Sequence, residues 1–266
     1  MLTTVALLAA LTSAIGLADD GLTLSHVRQT SYLLGPVRTD DKLLPGDSYN
    51  LAFDIDGLKV APDGKVQYSM GLKVTNSAGK TEFGSEPTPK EEYIALGGST
   101  VPGCANVEIG LNQAPGKYTV KVTVLDKAGK AQEITKTFDV GQKKFGLVRL
   151  STTSDGNSVP TAPLGVPGQT LYAHLFAVGF DPDARTQQPN ISIEMKVVDE
   201  NGKATLEKPV TEVIKAVKAG SVAIPMTFAI HLNRPGKYTA EFTAVDQVSK
   251  TTSKLSLPIT VLDGSR

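Results

Sequence analysis

The side chains that offer metal-binding or acid–base chemistry are few, and the most suggestive of them lie in the second half of the sequence. Tyr172, His174 and Phe176 occupy alternate positions of one apolar segment, and His231 follows later in the chain. Imidazole is the commonest metal ligand in proteins, and its ordinary pKa lies nearest to neutral pH. Two histidines on one surface would supply part of a metal site or a polar patch for a partner.

A pair of carboxylates is the second candidate site. Asp181 and Asp183 flank a proline in a long segment between Gly179 and Asn190. Calcium needs about six to eight oxygen ligands, which would require acidic residues of the first half, such as Asp40, to lie nearby. The sequence contains no motif with the fixed ligand spacing of a calcium loop. The alternative is a turn stabilised by aspartate side chains.

Catalytic motifs are absent from the sequence. It contains no Gly-x-Ser-x-Gly, no His-Glu-x-x-His, no phosphate-binding loop and no dinucleotide fingerprint. The single thiol, Cys104, can form no intramolecular disulfide. We interpret Cys104 as a small, partly buried strand residue, with intermolecular pairing or a reactive thiol as the alternative. The sequence therefore predicts a protein that is not an enzyme and needs no cofactor.

Composition and charge narrow the classes of partner. The chain has 266 residues, of which 40% are hydrophobic, and its 27 Lys and Arg balance its 27 Asp and Glu. A neutral chain lacks the positive surface that nucleic-acid binders and polybasic membrane binders use. The apolar content suffices for one or two buried cores. We therefore expect a globular protein that binds no nucleic acid.

The first 18 residues resemble an export signal. The run from Met1 to Ala18 is apolar and carries no charged side chain, and Gly16 and Ala18 fit the positions before a signal-peptidase cut. Cleavage there predicts a mature chain that begins at Asp19. No later segment is long and apolar enough to anchor the chain in a membrane. The sequence thus predicts an exported protein, periplasmic or extracellular, without a membrane span.

The rest of the chain contains an internal repeat. The segment Pro115-Gly-Lys-Tyr118 returns as Pro235-Gly-Lys-Tyr238, which separates the two tyrosines by 120 residues. Three further landmarks recur at nearly the same separation, namely Leu72 and Met195 at 123, Leu44-Pro-Gly-Asp47 and Val166-Pro-Gly-Gln169 at 122, and Val27-Arg28 and Val148-Arg149 at 121. One separation shared by four landmarks indicates a tandem duplication. We predict a signal peptide at 1–18, a first domain at 19–140, a linker at 141–144, a second domain at 145–262 and a tail at 263–266.

Each unit shows the periodicity of β-strands. Apolar and polar residues alternate in segments such as Tyr49 to Ile55 and Tyr238 to Ala244, with Gly, Pro and Asn or Asp turns between segments. Alternation indicates antiparallel strands with one buried face, because buried parallel strands are apolar throughout. We predict about seven strands in each unit. The best helical candidates are Val210 to Val217 and its counterpart Glu91 to Leu96.

The motif around Tyr118 and Tyr238 resembles the tyrosine corner of bacterial immunoglobulin-like and fibronectin-III-like sandwiches. In that group a tyrosine at the start of a strand bonds through its hydroxyl to the backbone a few residues upstream. The resemblance covers both repeats and implies two tandem antiparallel immunoglobulin-like β-sandwiches, with Tyr118 and Tyr238 in structural roles. The disulfide and the tryptophan of antibody domains are absent, so it extends to the architecture and not to antibody-like recognition.

The repeat alignment assigns Tyr172, His174, Phe176 and Val178 to the outward face of one strand, which is unusually apolar for a solvent-facing surface. His231 is expected on the neighbouring strand of the same face. Three interpretations follow: the segment from Ser151 to Gly168 covers this face, the face binds a partner, or the two histidines bind a metal.

Function is not specified by any single motif. The sequence favours an exported binding or structural module that acts on an unidentified protein, envelope component or glycan through its loops or the second-domain face. A periplasmic accessory protein that docks clients on sheet edges is the alternative. A metal-binding protein or enzyme that uses His174 and His231 is the third class.

Overall fold

A computed structural model of the chain describes residues 21–155 and 159–264, and in these ranges it is an all-β sandwich protein without a helix. The predicted signal peptide, residues 1–18, lies outside the described residues. No helix suited by length and apolarity to crossing a membrane occurs in the described part of the chain.

The strands fall into two sets of eight, which we call the first and second units. The strands of the first unit are β1 (Thr23–Thr30), β2 (Lys42–Leu43), β3 (Ser48–Asp56), β4 (Lys65–Asn76), β5 (Thr81–Tyr93), β6 (Val101–Glu108), β7 (Gly116–Asp126) and β8 (Ala131–Val140). Those of the second unit are β9 (Gly146–Thr153), β10 (Leu164–Gly165), β11 (Thr170–Val178), β12 (Ile191–Asp199), β13 (Val210–Ile214), β14 (Ala223–His231), β15 (Gly236–Asp246) and β16 (Thr251–Val261).

Both units have the same sheet topology. In the first unit a three-stranded sheet of order β1-β3-β6 accompanies a five-stranded sheet of order β2-β8-β7-β4-β5. The second unit repeats this as β9-β11-β14 and β10-β16-β15-β12-β13. The extra strand beyond the predicted seven is the two-residue β2 or β10, which pairs in parallel with the last strand of its unit. The other pairings are antiparallel, as the alternation predicted.

Each unit has its own hydrophobic cluster between its two sheets. The first includes Tyr49, Phe53 and Phe138, and the second includes Leu175 and Phe242, all of which are almost fully buried. Alternate residues of each strand point into these clusters because side chains leave a strand on opposite faces in turn. Burial of this apolar surface stabilises the fold in the absence of an intramolecular disulfide.

The two best helical candidates of the sequence are strands, in agreement with the predicted all-β fold. Val210 to Ile214 forms β13, which pairs with β12, and Glu91 to Tyr93 ends β5, which pairs with β4. Both lie at the edge of a sheet, where only one side of the strand is paired. A short segment takes the conformation that satisfies its backbone hydrogen bonds, and here the neighbouring strand supplies those partners.

The first strand of each unit contains a bulge, and the position of this bulge changes how the two repeats align. In β1, His26 and Val27 both oppose Phe53, and in β9 two residues that include Arg149 oppose Leu175. His26 and Arg149 both have positive φ, 48° and 54°. The structural counterpart of Arg149 is therefore His26, and the sequence match of Arg28 with Arg149 was two residues out of register.

Arg149 joins the two units. Its Nε donates to the carbonyl of Gly46 at 2.7 Å, its backbone N–H donates to Oδ1 of Asp47 at 3.1 Å, and its Nη2 lies 3.2 Å from Oε2 of Glu108. Val178, predicted to face outward, is instead buried at this junction, close to Gly46. An alternation rule treats one sheet at a time, and so it misses burial by a second unit.

A second set of buried polar contacts lies beside Arg149. The Tyr32 hydroxyl of the first unit bonds Oγ1 of Thr152 in the second unit at 2.5 Å, and both residues are buried. Burial raises the pKa of Tyr32 to about 12. Arg38 donates to Oδ2 of Asp47 at 2.9 Å, so one carboxylate accepts from both units. Buried polar groups that are paired in this way fix the relative placement of the units.

Candidate functional site

The outward face of β11 carries three of the predicted site residues. Tyr172, His174 and Phe176 are half-buried and alternate with the fully buried Ala173 and Leu175. This alternation is the one that the repeat alignment predicted. This face is therefore neither fully exposed to solvent nor fully buried.

His174 joins the three strands of its sheet. Its Nε2 lies 2.8 Å from the Thr153 hydroxyl of β9, and its Nδ1 lies 3.0 Å from the Thr227 hydroxyl of β14. Each ring nitrogen thus has its own hydroxyl partner. In the neutral ring one nitrogen accepts from its hydroxyl and the other donates to its hydroxyl. Burial lowers the pKa of His174. This arrangement is typical of a structural histidine.

The lowered pKa of His174 predicts a pH-dependent stability of the second unit. The folded state favours the neutral ring, so the stabilisation is present above the ordinary imidazole pKa of about 6.5 and is lost as the pH falls toward the lowered pKa. We expect the melting temperature of the second unit to decrease between about pH 7.5 and pH 5.

Calorimetry of the His174→Gln variant checks this expectation. Because glutamine cannot titrate, the decrease in melting temperature at acid pH should be smaller in this variant. The His231→Gln variant controls for the removal of an imidazole as such. A pH profile of His174→Gln that matches the unsubstituted protein would contradict the prediction.

One interpretation was that the segment between Ser151 and Gly168 covers the outward face of β11. The Thr153 hydroxyl, near its start, bonds to His174 of that face, whereas later residues of the segment bond elsewhere. Thr161 bonds to Thr152 along the edge of β9, and Leu164 and Gly165 pair with β16 in the other sheet. The described backbone groups of Thr161, Leu164 and Gly165 thus find their partners along the edges of the two sheets.

His231 lies apart from His174. It pairs with Thr170, four residues before His174 along β11, which corresponds to about 13 Å at the usual rise of a strand. Its Nδ1 lies 2.9 Å from the Thr170 hydroxyl. Within the described residues no three His, Cys, Asp or Glu side chains form a group that could hold a metal ion. The structure therefore does not bring the two histidines together as one site.

His231 instead lines a groove between the free edges of β13 and β14, which we call the second-unit groove. Its volume is about 480 Å³. Its lining residues are Met195, Val197, Thr205, Leu206, Val210, Ala229, Ile230, His231, Leu232, Asn233, Arg234, Tyr238, Ile259 and Val261. Leu206 and Val210 are 56% and 45% exposed, although both are large and apolar. Exposed apolar residues beside a concave surface are typical of a binding site.

The first unit has a groove at the equivalent place, the first-unit groove, with a volume of about 440 Å³. Its lining residues are Val74, Glu82, Phe83, Asn106, Val107, Glu108, Ile109, Gly110, Gln113, Tyr118 and Phe138. The two linings differ in charge. The first contains two glutamates and no Lys, Arg or His, whereas the second contains Arg234 and His231 and no Asp or Glu.

The two tyrosine corners lie at these grooves. The Tyr118 hydroxyl donates to the carbonyl of Ala114 at 2.8 Å, and the Tyr238 hydroxyl lies 3.2 Å from the carbonyl of Arg234. Tyr118 is buried, while Tyr238 is half-buried and has the Arg234 guanidinium 5.8 Å from its ring centroid. The backbone bond that the resemblance implied is thus present in both units.

The Asp181 and Asp183 carboxylates do not form a metal site with other acidic residues in the described part of the chain. Asp183 accepts hydrogen bonds from the backbone N–H groups of Thr186 and Arg185, which hold its pKa below the ordinary value. Asp181 contributes its backbone N–H to the buried Asp246. These contacts match the alternative prediction, a turn stabilised by aspartate side chains.

Cys104 lies in the middle of β6, opposite Ala52, and is partly buried. Burial raises the pKa of its thiol. A raised pKa disfavours the thiolate, the form that reacts or binds metals.

The grooves were missed by sequence reasoning. Leu206 lies in a polar stretch between two strands, and its exposure is the only sign of its role. A search for large apolar residues outside the alternating pattern would have identified Leu206, but not the strand edges that complete the groove.

The comparisons with known proteins assign no family. No family model matches the chain, and no curated protein matches it. The C-terminal domain of the Streptococcus agalactiae AgI/II polypeptide BspA is similar at 10% identity and a TM-score of 0.29, over 90% of this chain and 100% of that one. A Bacteroides uniformis β-glucuronidase is similar at 11% identity and a TM-score of 0.38, over 81% of this chain and 26% of that one.

The Pseudomonas fluorescens alkylpurine DNA glycosylase AlkC, solved bound to DNA containing an abasic site analog, is similar at 15% identity and a TM-score of 0.31. That likeness covers 47% of this chain and 32% of that one, so this chain spans about a third of the glycosylase. None of these likenesses assigns a function to this chain.

Proposed function

We propose that this chain is an exported, non-enzymatic binding module in which the first unit is a rigid support and the second unit holds a partner in the second-unit groove. The observation that carries this proposal is the groove itself, where exposed Leu206 and Val210 border a concavity that contains Arg234 and His231. Export rests on the apolar segment Met1 to Ala18 of the sequence.

The junction supports the role of the first unit. Arg149 bonds to three residues of that unit, and Tyr32 bonds back to Thr152 of the second. A partner held by the second unit would therefore be kept at a defined position relative to the first. A support of this kind needs no catalytic group, and the two threonine partners of the His174 ring support a structural role for that residue.

Client docking on the sheet edge of the first unit is less well supported. The longest edge strand, β5, is almost entirely exposed and pairs only with β4. However, it carries Pro87 and Pro89, which lack the N–H groups that an added strand would need, and its register shifts opposite Met70 and Leu72. Prolines and bulges on an edge strand prevent edge-to-edge pairing.

Site-specific photocrosslinking tests the proposed function. A benzophenone side chain in place of Leu206, in the second-unit groove, is expected to crosslink a protein or glycan from the exported fraction of the source cells. Phe83 is the matched control, because it lines the equivalent first-unit groove and is similarly exposed, 51% against 56%. No adduct at Leu206, or equal adducts at both positions, would refute the proposal.

A further inference from the structure

We infer that the second-unit groove takes an extended peptide with alternating apolar side chains and a carboxylate, which adds as a strand to the free edge of β14. This inference rests on the proposed function and names the chemistry of its partner. It draws on the backbone of β14, the apolar lining of the groove and the charge of Arg234.

The free edge of β14 presents unused backbone groups in a known direction. Among the residues that the structure describes, β14 pairs with β11 alone, without a register shift from Ala223 to His231. Pro225 has no N–H, and on an edge strand proline places its nitrogen on the unpaired side. Residues two apart point their backbone groups to the same side. Thr227, Ala229 and His231 therefore present N–H and C=O groups to the free edge.

The alternate residues of this strand point their backbone groups the other way, toward β11, as expected. Leu232, which is offset by one residue, donates its N–H to the carbonyl of Gln169 and accepts from the N–H of Gly168, on the side of β11. The three free-edge residues span about 13 Å, enough to pair with a peptide segment of about five residues. A strand added there would lie between β14 and the free edge of β13, which is the position of the groove.

The lining of the groove specifies alternate apolar side chains. A strand beside β14 would point every second side chain between the two sheets, toward Ile230 of β14, Met195 of β12 and Ile259 of β16. The exposed Leu206 and Val210 would be covered by the same side chains. Main-chain bonds would then provide affinity, and the apolar contacts would select the alternating pattern.

Charge complementarity specifies a carboxylate. Arg234 lies at the groove, where its Nε donates to the Tyr238 hydroxyl at 3.0 Å, and no Asp or Glu belongs to the lining. The carboxylate of Asp199, which acts on Arg234 from outside the lining, already accepts from two backbone N–H groups of its own turn. The lining of the equivalent first-unit groove contains Glu82 and Glu108, which pair with Lys80 and Arg149, and it offers no Lys, Arg or His side chain to a carboxylate.

Two other occupants are less consistent with these observations. An apolar amphiphile such as a fatty acid would use the lining and Arg234, but it would leave the backbone groups of β14 unpaired. A second copy of the chain could offer its β5, which is interrupted by Pro87 and Pro89, or its β14, which carries no carboxylate for Arg234.

The experiment uses a random dodecapeptide library panned on the full chain, followed by fluorescence anisotropy with the selected peptides. We expect selected peptides that alternate apolar residues and carry Asp or Glu. The Ala229→Pro variant should weaken their binding at least about tenfold, because it removes one free-edge N–H and obstructs the incoming strand. Pro225 shows that β14 accepts proline on this side, and thermal melting checks that the variant folds.

The charge is tested separately. Arg234→Glu should also weaken binding at least about tenfold, while Glu82→Gln, in the first-unit groove, is the matched control and should leave the affinity unchanged. Binding that survives Ala229→Pro, selected peptides that are basic, or no selection above a protein-free surface would overturn the inference.

Two further results would identify one of the other occupants instead of a peptide. Binding of oleate that is unaffected by Ala229→Pro, in a chain that selects no peptide, would replace the peptide with an amphiphile. Dimers in sedimentation that Ala229→Pro abolishes would replace it with a second copy of the chain. In either case an adduct at Leu206 would still support the binding module, so the two failures are distinguishable.

Discussion

Replacement of Tyr118 by alanine is expected to destabilise the first unit by about 3–5 kcal/mol, by removing a buried ring and leaving a cavity. The Tyr118 ring is 4% exposed and stacks on Phe138 at 5.6 Å between centroids. Phe138 in turn stacks on Tyr49 at 4.7 Å. The loss would therefore affect a chain of three aromatic rings that connects both sheets.

The Tyr118→Phe variant isolates the contribution of the hydroxyl. That hydroxyl accepts from Gln113 Nε2 at 2.7 Å and donates to Ala114 at 2.8 Å, in a partly buried position. We expect a loss of about 1–3 kcal/mol, because two partners lose their bond. Tyr238→Phe should cost less than about 1 kcal/mol, since its exposed hydroxyl makes longer bonds to the carbonyls of Arg234 and Pro235.

Hydrogen exchange followed by mass spectrometry during denaturant titration resolves the two units and measures both effects. We expect each change to be confined to its own unit. Equal losses for Tyr118→Phe and Tyr238→Phe would show that the difference in hydroxyl burial has no energetic consequence.

Replacement of Asp47 by alanine is the second large effect that we expect. Its carboxylate accepts from Arg38 at 2.9 Å and from the backbone N–H of Arg149 at 3.1 Å, and its side chain is 8% exposed. Removal of one member of a buried pair costs about 3–5 kcal/mol, because the other charge stays buried without a partner. Here that charge is Arg38, which is 18% exposed and would keep the Asp40 carboxylate at 3.6 Å and the Lys42 carbonyl at 3.1 Å, so we expect the lower end of this range.

Because Asp47 bonds to both units, Asp47→Ala should also separate their unfolding transitions in calorimetry. Glu108→Ala is the control: Glu108 contacts Arg149 but is 69% exposed, so its loss should cost less than about 1 kcal/mol. The prediction would be contradicted if Asp47→Ala left the separation between the unfolding transitions of the two units as it is in the unsubstituted chain, or if Glu108→Ala had the larger effect.

Local patterns in the sequence were sufficient to predict the architecture. The alternation from Leu171 to Ala177 predicted the buried face of β11, and the common separation of about 120 residues predicted the duplication seen in both topologies. These features depend on side-chain period and on self-similarity, which are properties of residues close in sequence. The turns at Gly46 and Gly168, at φ of 96° and 97°, are equally local.

Three further features depend on contacts between residues distant in sequence: the sheet edges, the bulges and the junction of the two units. The bulge that makes His26 the counterpart of Arg149 cannot be recognised from the spacing of apolar residues. It changes only the register in which β1 pairs with β3 and β9 pairs with β11. Val178 is buried by Gly46, a residue more than a hundred positions away.

The candidate site shows the same division. Tyr172, His174 and Phe176 share a face, as the alternation predicted, and His231 lies on the same face of the neighbouring strand. Its position there is about 13 Å from His174, beside a groove lined by residues of β12, β13, β14, β15 and β16. Sequence period determines which face of a strand a residue occupies. Strand register and the packing of edges determine which side chains from different strands meet, because they depend on the energies of contacts between residues distant in sequence.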